Sequence, residues 1–284
     1  MVRPSRSTSR VQIDRVRSAS SRSRRDAVAV EEPMEIRLAV PGRGEHRVAV
    51  TMRTPGNDFE LAAGFLLSEG LLDSAADVLE LRYCTDVVPQ EYNIVTAHLR
   101  EGARFDPADL TRNFYTTSSC GVCGKASLEA VEVQGCAPLP PGPVFDPDVI
   151  RALPDRLREE QRVFDRTGGL HAAGLFDRTG ELEAAREDVG RHNAVDKVIG
   201  HAFLEKRLPL AGRALVVSGR ASFEIMQKAL AGGVPIVIAV GAPSSLAVDL
   251  ASRFGMTLIG FARPEGFNVY AGGERISGVG SAVD

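Results

Sequence analysis

The sequence has no tryptophan, only four cysteines, and no apolar run long enough to cross a bilayer. Its longest such stretch, Val234 to Ala242 (VPIVIAVGA), is about half of the roughly 18–20 residues a spanning helix needs, and Pro235 interrupts it. Four cysteines in 284 residues are too few for a disulfide scaffold. Neither GxGxxG nor GxxxxGK[ST] occurs, so the chain carries no dinucleotide fingerprint and no P-loop. No apolar core of about 7–15 residues follows Arg24-Arg25, where the chain runs DAVAVEEP. Neither a secretory nor a twin-arginine signal is read there, and the expected location is cytoplasmic.

What is present is an ordinary globular composition, 44% hydrophobic and 25% charged, with room for one or two domains. The net charge of −3 hides a split. Residues 1–25 hold eight arginines against one aspartate, a local +7, which leaves −10 on the other 259 residues. The Arg/Ser-rich stretch reads as a disordered leader, too polar to repay its ordering entropy, with an organellar transit peptide as the alternative. It has no aromatics for base stacking, so nucleic-acid contact through it is weak and no nucleic-acid partner is expected; with no spanning run, no membrane partner is expected either.

Residues 1–27 are thus the leader, 28–110 a small α+β domain, and 111–284 a larger unit holding an α/β domain. In the small domain, Met34 to Val40 and Glu45 to Arg53 alternate around PGRG and predict a hairpin. Phe59 to Glu69 has helical spacing and stops at Gly70, and Val78 to Thr85 and Tyr92 to Leu99 read as strands. In the larger unit, Pro147 to Glu160 reads as a helix, Leu170 to Phe176 and Glu181 to Glu187 as strands, and Arg191 to Lys206 as a helix. Strands at Ala214–Val217, Pro235–Val240 and Thr257–Phe261 then alternate with helices at Ala221–Ala231 and Ser244–Phe254. Apolar β-branched runs between amphipathic helices predict βαβ units around a buried, mostly parallel sheet.

In such sheets ligands sit beyond the carboxyl ends of the strands. Three strand ends carry suggestive loops: Ser218-Gly219-Arg220, Gly241 to Ser245, and Phe261-Ala262-Arg263-Pro264-Glu265-Gly266. Small residues allow close backbone approach, and Arg220 and Arg263 suit phosphate. The plainer alternative is that these glycines and prolines only make βα turns. The ligand implied is anionic.

Cys120-Gly-Val-Cys123-Gly is a sharper signal, with Lys125 close by. Zinc ligation, dithiol exchange and persulfide carriage all use two thiols at that spacing, and an incidental pair is the fourth option. Zinc needs four ligands, and there is no second CxxC or HxxxH, so no metal site is assigned. Glycines on both sides fit a thioredoxin-like motif poorly but suit a cysteine that swings between a sulfur donor and an acceptor. A third cluster runs from Glu187 to Lys197, where His192 and Asp196 stand at i,i+4. Beside the upstream Thr167 to Ala173 stretch it reads as a polar pocket, with a packed His192 held by Asp196, or a solvated first turn, as the alternatives. Hydrolytic deamination is disfavoured, because His171 is followed by Ala172-Ala173 with no glutamate and no cysteine lies beyond Cys136.

SCGVCGKASLE (119–129), TGGLHAAGLFD (167–177), EDVGRHNAVDKVIG (187–200), SGRASFEIMQKA (218–229) and GFARPEGFNVY (260–270) together resemble the formate dehydrogenase accessory sulfurtransferase family, FdhD. TPGNDFELAAGFLLSEGL (54–71) is similar to that family's amino-terminal part, and the match runs in order from about Glu31 to Tyr270. The resemblance implies a cytidine-deaminase-like carboxyl-terminal α/β domain, a smaller amino-terminal α+β domain, and a homodimer. It implies a sulfur carrier that takes persulfide sulfur from a cysteine desulfurase. The sulfur passes to molybdenum cofactor in its bis-guanine-dinucleotide form, which is cargo and not a resident group, before insertion into formate dehydrogenase. Cys120 falls on the persulfide carrier and Cys123 on its companion, and Phe261 to Gly266 falls on the cofactor-binding stretch. The competing class is a cofactor chaperone whose cysteines only gate or dock.

Overall fold

The computed structural model describes residues 6–18, 20–86, 88–103 and 136–279. Strands β1 (Thr8–Arg17) and β2 (Ser20–Ala29) pair antiparallel in a register of ten residues. This departs from the expected disordered leader. Composition averages over the segment and hides the alternation of Val11 and Ile13 with polar neighbours, which is a strand pattern. The base of the hairpin is tied down by Arg166, which donates to Thr8 Oγ1 at 2.8 Å, and by Val30 N donating to Ser7 O at 2.9 Å.

The next four strands, β3 (Glu32–Val40), β4 (Gly44–Arg53), β5 (Val78–Tyr83) and β6 (Ile94–Leu99), form a sheet in the order β4-β3-β6-β5. Helix α1 (Asp58–Ser68) follows β4, close to the bounds its spacing predicts. The second sheet has the order β12-β11-β10-β9-β7-β8. Its strands are β7 (His171–Phe176), β8 (Leu182–Asp188), β9 (Ala214–Val217), β10 (Ile236–Ala239), β11 (Thr257–Arg263) and β12 (Gly266–Ala271). Only the β9–β10 and β10–β11 pairings are parallel; the sheet is mixed, which corrects the mostly parallel expectation. The reason is local, since β7–β8 and β11–β12 are each joined by a tight turn, and strands so joined must run antiparallel.

Helices α2 (Pro147–Glu159) and α3 (Arg162–Thr167) precede β7; α4 (Arg191–Leu204), α5 (Phe223–Ala231) and α6 (Ser245–Arg253) follow. The central strands are apolar throughout because each feeds two cores. Ala214 and Val216 pack with Leu153 and Leu157 of α2, while Leu215 and Val217 pack with Val195 and Ile199 of α4. The second core continues without a break into Ile36, Leu61, Leu66 and Val95, so the two sheets share one apolar cluster.

Their junction is the crossing of α1 and α4, where glycines replace side chains. A Cβ on Gly64 would lie 1.9 Å from the Asp196 carbonyl oxygen, and one on Gly200 would lie 1.9 Å from that of Glu60. Charged groups are sealed beside it. Asp196 accepts from Lys228 Nζ at 2.8 Å on both oxygens and from Ser68 Oγ of α1 at 3.1 Å. Lys197 Nζ lies 2.7 Å from Asp188 and donates to the Thr54 carbonyl at 3.0 Å. Buried charges survive where they are paired and hydrogen-bonded, and these pairs bind α1, α4, α5 and β8 into one register. Among the described residues no helix is long and apolar enough to cross a membrane.

Candidate functional site

The strand-end loops do converge. Gly241 N donates to Gly219 O at 2.9 Å, Phe261 N donates to Gly241 O at 3.1 Å, and Ser244 N donates to Ala221 O at 3.0 Å. Ser218 ties the row to β7, donating from its backbone to Ala172 O and accepting from Ala172 N on its hydroxyl. Gly241 permits the approach, because a Cβ there would stand 2.9 Å from Arg220 Cγ and 3.1 Å from Gly219 O.

Phe261 to Gly266 is not a free loop. Phe261, Ala262 and Arg263 end β11, Pro264 and Glu265 make the turn, and Gly266 opens β12 opposite Arg263. Proline at the second turn position is pre-set for such a bend. Phe261 sits at φ 53°, and the register slips between Gly260 and Arg263. A bulky residue in the left-handed region is uncommon. The bulge turns Ala262 inward, 1% exposed, and leaves Phe261 41% exposed.

A cavity of about 550 Å³ opens beside this row. Ser218, Ala262, Arg263 and Pro264 of the expected residues line it, together with Leu170, His171 and the Gly168-Gly169 pair. Gly219, Arg220, Gly241, Phe261, Glu265 and Gly266 are not among its lining residues. Gly219 supports the site from beneath, since a Cβ there would meet His171 Nδ1 at 3.5 Å. Arg220 is exposed. Sequence reasoning missed the opposite wall, built by Pro154, Leu157 and Arg158 of α2 with Gln161 and Phe164.

Burial, and then the nearby Arg191 and His192, hold His171 below the usual histidine range, so at neutral pH it offers a hydrogen bond without charge. Positive charge at the cavity comes from Arg263 and Arg158. A polar cluster lies behind. His192 Nε2 is 3.2 Å from Ser222 Oγ and 3.1 Å from Glu224 Oε2, and Ser222 Oγ donates to the same carboxylate at 3.0 Å. Asp196 is therefore not the partner of His192; one pairs with Lys228, the other with Glu224.

The hydrogen bond from His192 pulls the Glu224 carboxyl down to about 2 against the opposing effect of burial. A folded-state value below the unfolded one makes stability rise with pH between the two. Against a Glu224→Gln variant, the native chain should therefore hold its full advantage in Tm at about pH 5. That advantage should shrink as the pH falls toward about 2. Thermal melts across that range check this, and a pH-independent difference would contradict it.

Cys120 and Cys123 lie outside the described residues. The two described cysteines, Cys84 and Cys136, are free and half-buried, and burial pushes the Cys136 thiol up, away from the reactive thiolate.

A mixed sheet flanked by helices, with an arginine-bearing cavity where its parallel strands end, defines an α/β protein with a candidate ligand cavity at its strand ends. Residues 29–277 match the FdhD/NarQ family, and the chain belongs to that family. It is 51% identical to the sulfur carrier protein FdhD of Streptomyces coelicolor over 277 residues, 96% of each chain. With the protein of the same description from Mycobacterium tuberculosis it shares 52% over 263 residues, covering 90% of this chain and 93% of that one. Its fold is similar to the crystal structure of a formate dehydrogenase accessory protein from Desulfotalea psychrophila. The TM-score is 0.73 at 27% identity, covering 95% of this chain and 99% of the other.

Proposed function

We propose that this protein is a cytoplasmic sulfur carrier serving formate dehydrogenase, and that its cargo is the molybdenum cofactor in bis-guanine-dinucleotide form. The observation that carries the reading is the cavity at the strand ends, which puts Arg263 and Ser218 on one wall of a space of about 550 Å³. That volume lies within the roughly 300–1,000 Å³ of ordinary small-molecule sites. A body of net charge −10 needs such a local arginine rim to hold pyrophosphate. Glu265, an acid that would repel phosphate, stands on the exposed turn and does not line the cavity.

In this reading the Cys120 thiolate attacks the outer sulfur of a persulfide on a cysteine desulfurase. The donor's S–S bond breaks, its cysteine leaves as a thiolate, and Cys120 holds the sulfane sulfur for delivery to molybdenum, with Cys123 assisting. In the same reading the α/β unit belongs to the cytidine-deaminase-like architecture, and the chain works as a homodimer that engages the desulfurase and formate dehydrogenase in turn. Incubation with a desulfurase and cysteine, followed by mass spectrometry, tests the carrier step. The expected product is one added sulfur on Cys120, and its absence would favour the chaperone alternative, in which the cysteines only gate or dock.

A further inference from the structure

The β1–β2 ribbon carries more charge than its own fold uses. Thr8 to Ala29 hold six arginines against two aspartates, a local +4. Arg24 pairs with Asp26 at 3.1 Å, and among the described residues none of the other five forms an ion pair. Side chains alternate along a strand, and the register sends Arg15, Arg17, Arg22 and Arg24 out of one face. Arg15 and Arg22 stand directly opposite each other, and a like-charge cross-strand pair destabilises a sheet unless an anion meets it.

The ribbon is also short of support. It is a two-stranded sheet by itself, and such a hairpin is marginal in water without a further layer. Its base rests on the body, where Arg166 holds Thr8, and Val11, Ile13, Ala27 and Ala29 are half-buried. From Asp14 to Arg25 every described residue is exposed.

The complementary surface lies in the small domain. Residues 69–101 carry seven carboxylates against two arginines, a local −5. They flank β6 and β5, the outer strand of its sheet. Glu80, Asp86, Glu91 and Glu101 are exposed there, and Leu79 on β5 is 56% exposed.

We propose that the arginine face of the ribbon docks on the β5 edge of a second copy of this chain, which returns its own arm in the same way. The proposal rests on the homodimer reading and names the surfaces that make the dimer. Because the exchange is reciprocal, one two-fold axis satisfies both arms and closes the assembly at two chains. Carboxylates around β5 separate the crowded guanidinium groups, and Leu79 gives their aliphatic stems an apolar floor. The ribbon has no aromatic side chain to stack on a base, so an acidic protein surface suits it better than a nucleic acid.

Sedimentation velocity of the full chain tests this. The native chain should be a dimer in about 0.1 M salt and weaken at about 0.5 M, where exposed charges are more strongly screened. Arg15→Glu with Arg22→Glu should weaken the dimer about a hundredfold. Arg10→Glu with Arg25→Glu makes the same change of charge on the ribbon's other face and should weaken it far less. Glu80→Arg with Asp86→Arg should act like the first pair, and mixing those two variants should restore a dimer containing one of each. All six positions are exposed, so each variant should keep the native Tm. A native chain that is monomeric would overturn both the proposal and the homodimer reading. A dimer that the Arg15 and Arg22 substitutions leave intact, equal losses from both faces of the ribbon, or no recovery on mixing would overturn the arm contact and leave the homodimer standing.

Discussion

Cys120→Ala should reduce formate dehydrogenase maturation to background while leaving the fold and nucleotide binding unchanged. The step assigned to this residue is nucleophilic, and among side chains only a thiolate can attack a persulfide and keep its sulfur in exchangeable form. The other thiols offer no replacement: Cys84 and Cys136 are half-buried, and the environment of Cys136 favours the protonated, unreactive form. Cys84→Ala and Cys136→Ala should therefore keep full activity, and Cys123→Ala should fall between these and Cys120→Ala. The measurement is formate dehydrogenase activity in a strain whose only copy of this protein is the variant, with GDP binding as the control for folding. Full activity in the Cys120 variant would remove the carrier assignment. Lost activity together with lost GDP binding would mean that the substitution had damaged the fold.

Much of this was legible in the sequence, and each failure has a physical cause. Ala214–Val217 and Ile236–Ala239 read correctly as buried strands because each serves two cores, which leaves no polar face to confuse the period. The Pro264-Glu265 turn carries the same punctuation as a ligand loop, and only the pairing of Gly266 with Arg263 tells the two apart. Helix α3 went unread because its six residues are too few for a periodicity, although Gly168 at φ 68° marks its end. Missing α3 also hid Gln161 and Phe164, two of the residues that line the cavity. Lys228 and Glu224 as partners of Asp196 and His192 lie about 30 residues downstream, beyond any local pattern. The reading of Cys120 and Cys123 rests on their chemistry alone, since both lie outside the described residues.

The largest effect on stability should come from a methyl group placed where α1 meets α4. Gly64→Ala and Gly200→Ala each put a Cβ 1.9 Å from a backbone carbonyl oxygen, Asp196 in one case and Glu60 in the other. A flexible side chain could swing away, but a helix carbonyl cannot, so the helices must separate by more than an ångström. Separation opens the cluster that joins the two sheets and stretches the hydrogen bond from Ser68 to Asp196, now 3.1 Å. Each substitution should cost about 3 kcal/mol, or roughly 6–12 °C in Tm. Gly212→Ala is the control: nothing lies within 4 Å of a Cβ there, and its stability should change by less than about 0.5 kcal/mol. The two clashes are also coupled. One displacement of α1 from α4 relieves both, so the double variant should lose clearly less than the two single losses added together. Additive losses would mean that the helices adjust independently at each glycine, and that the crossing is not the rigid joint between the sheets.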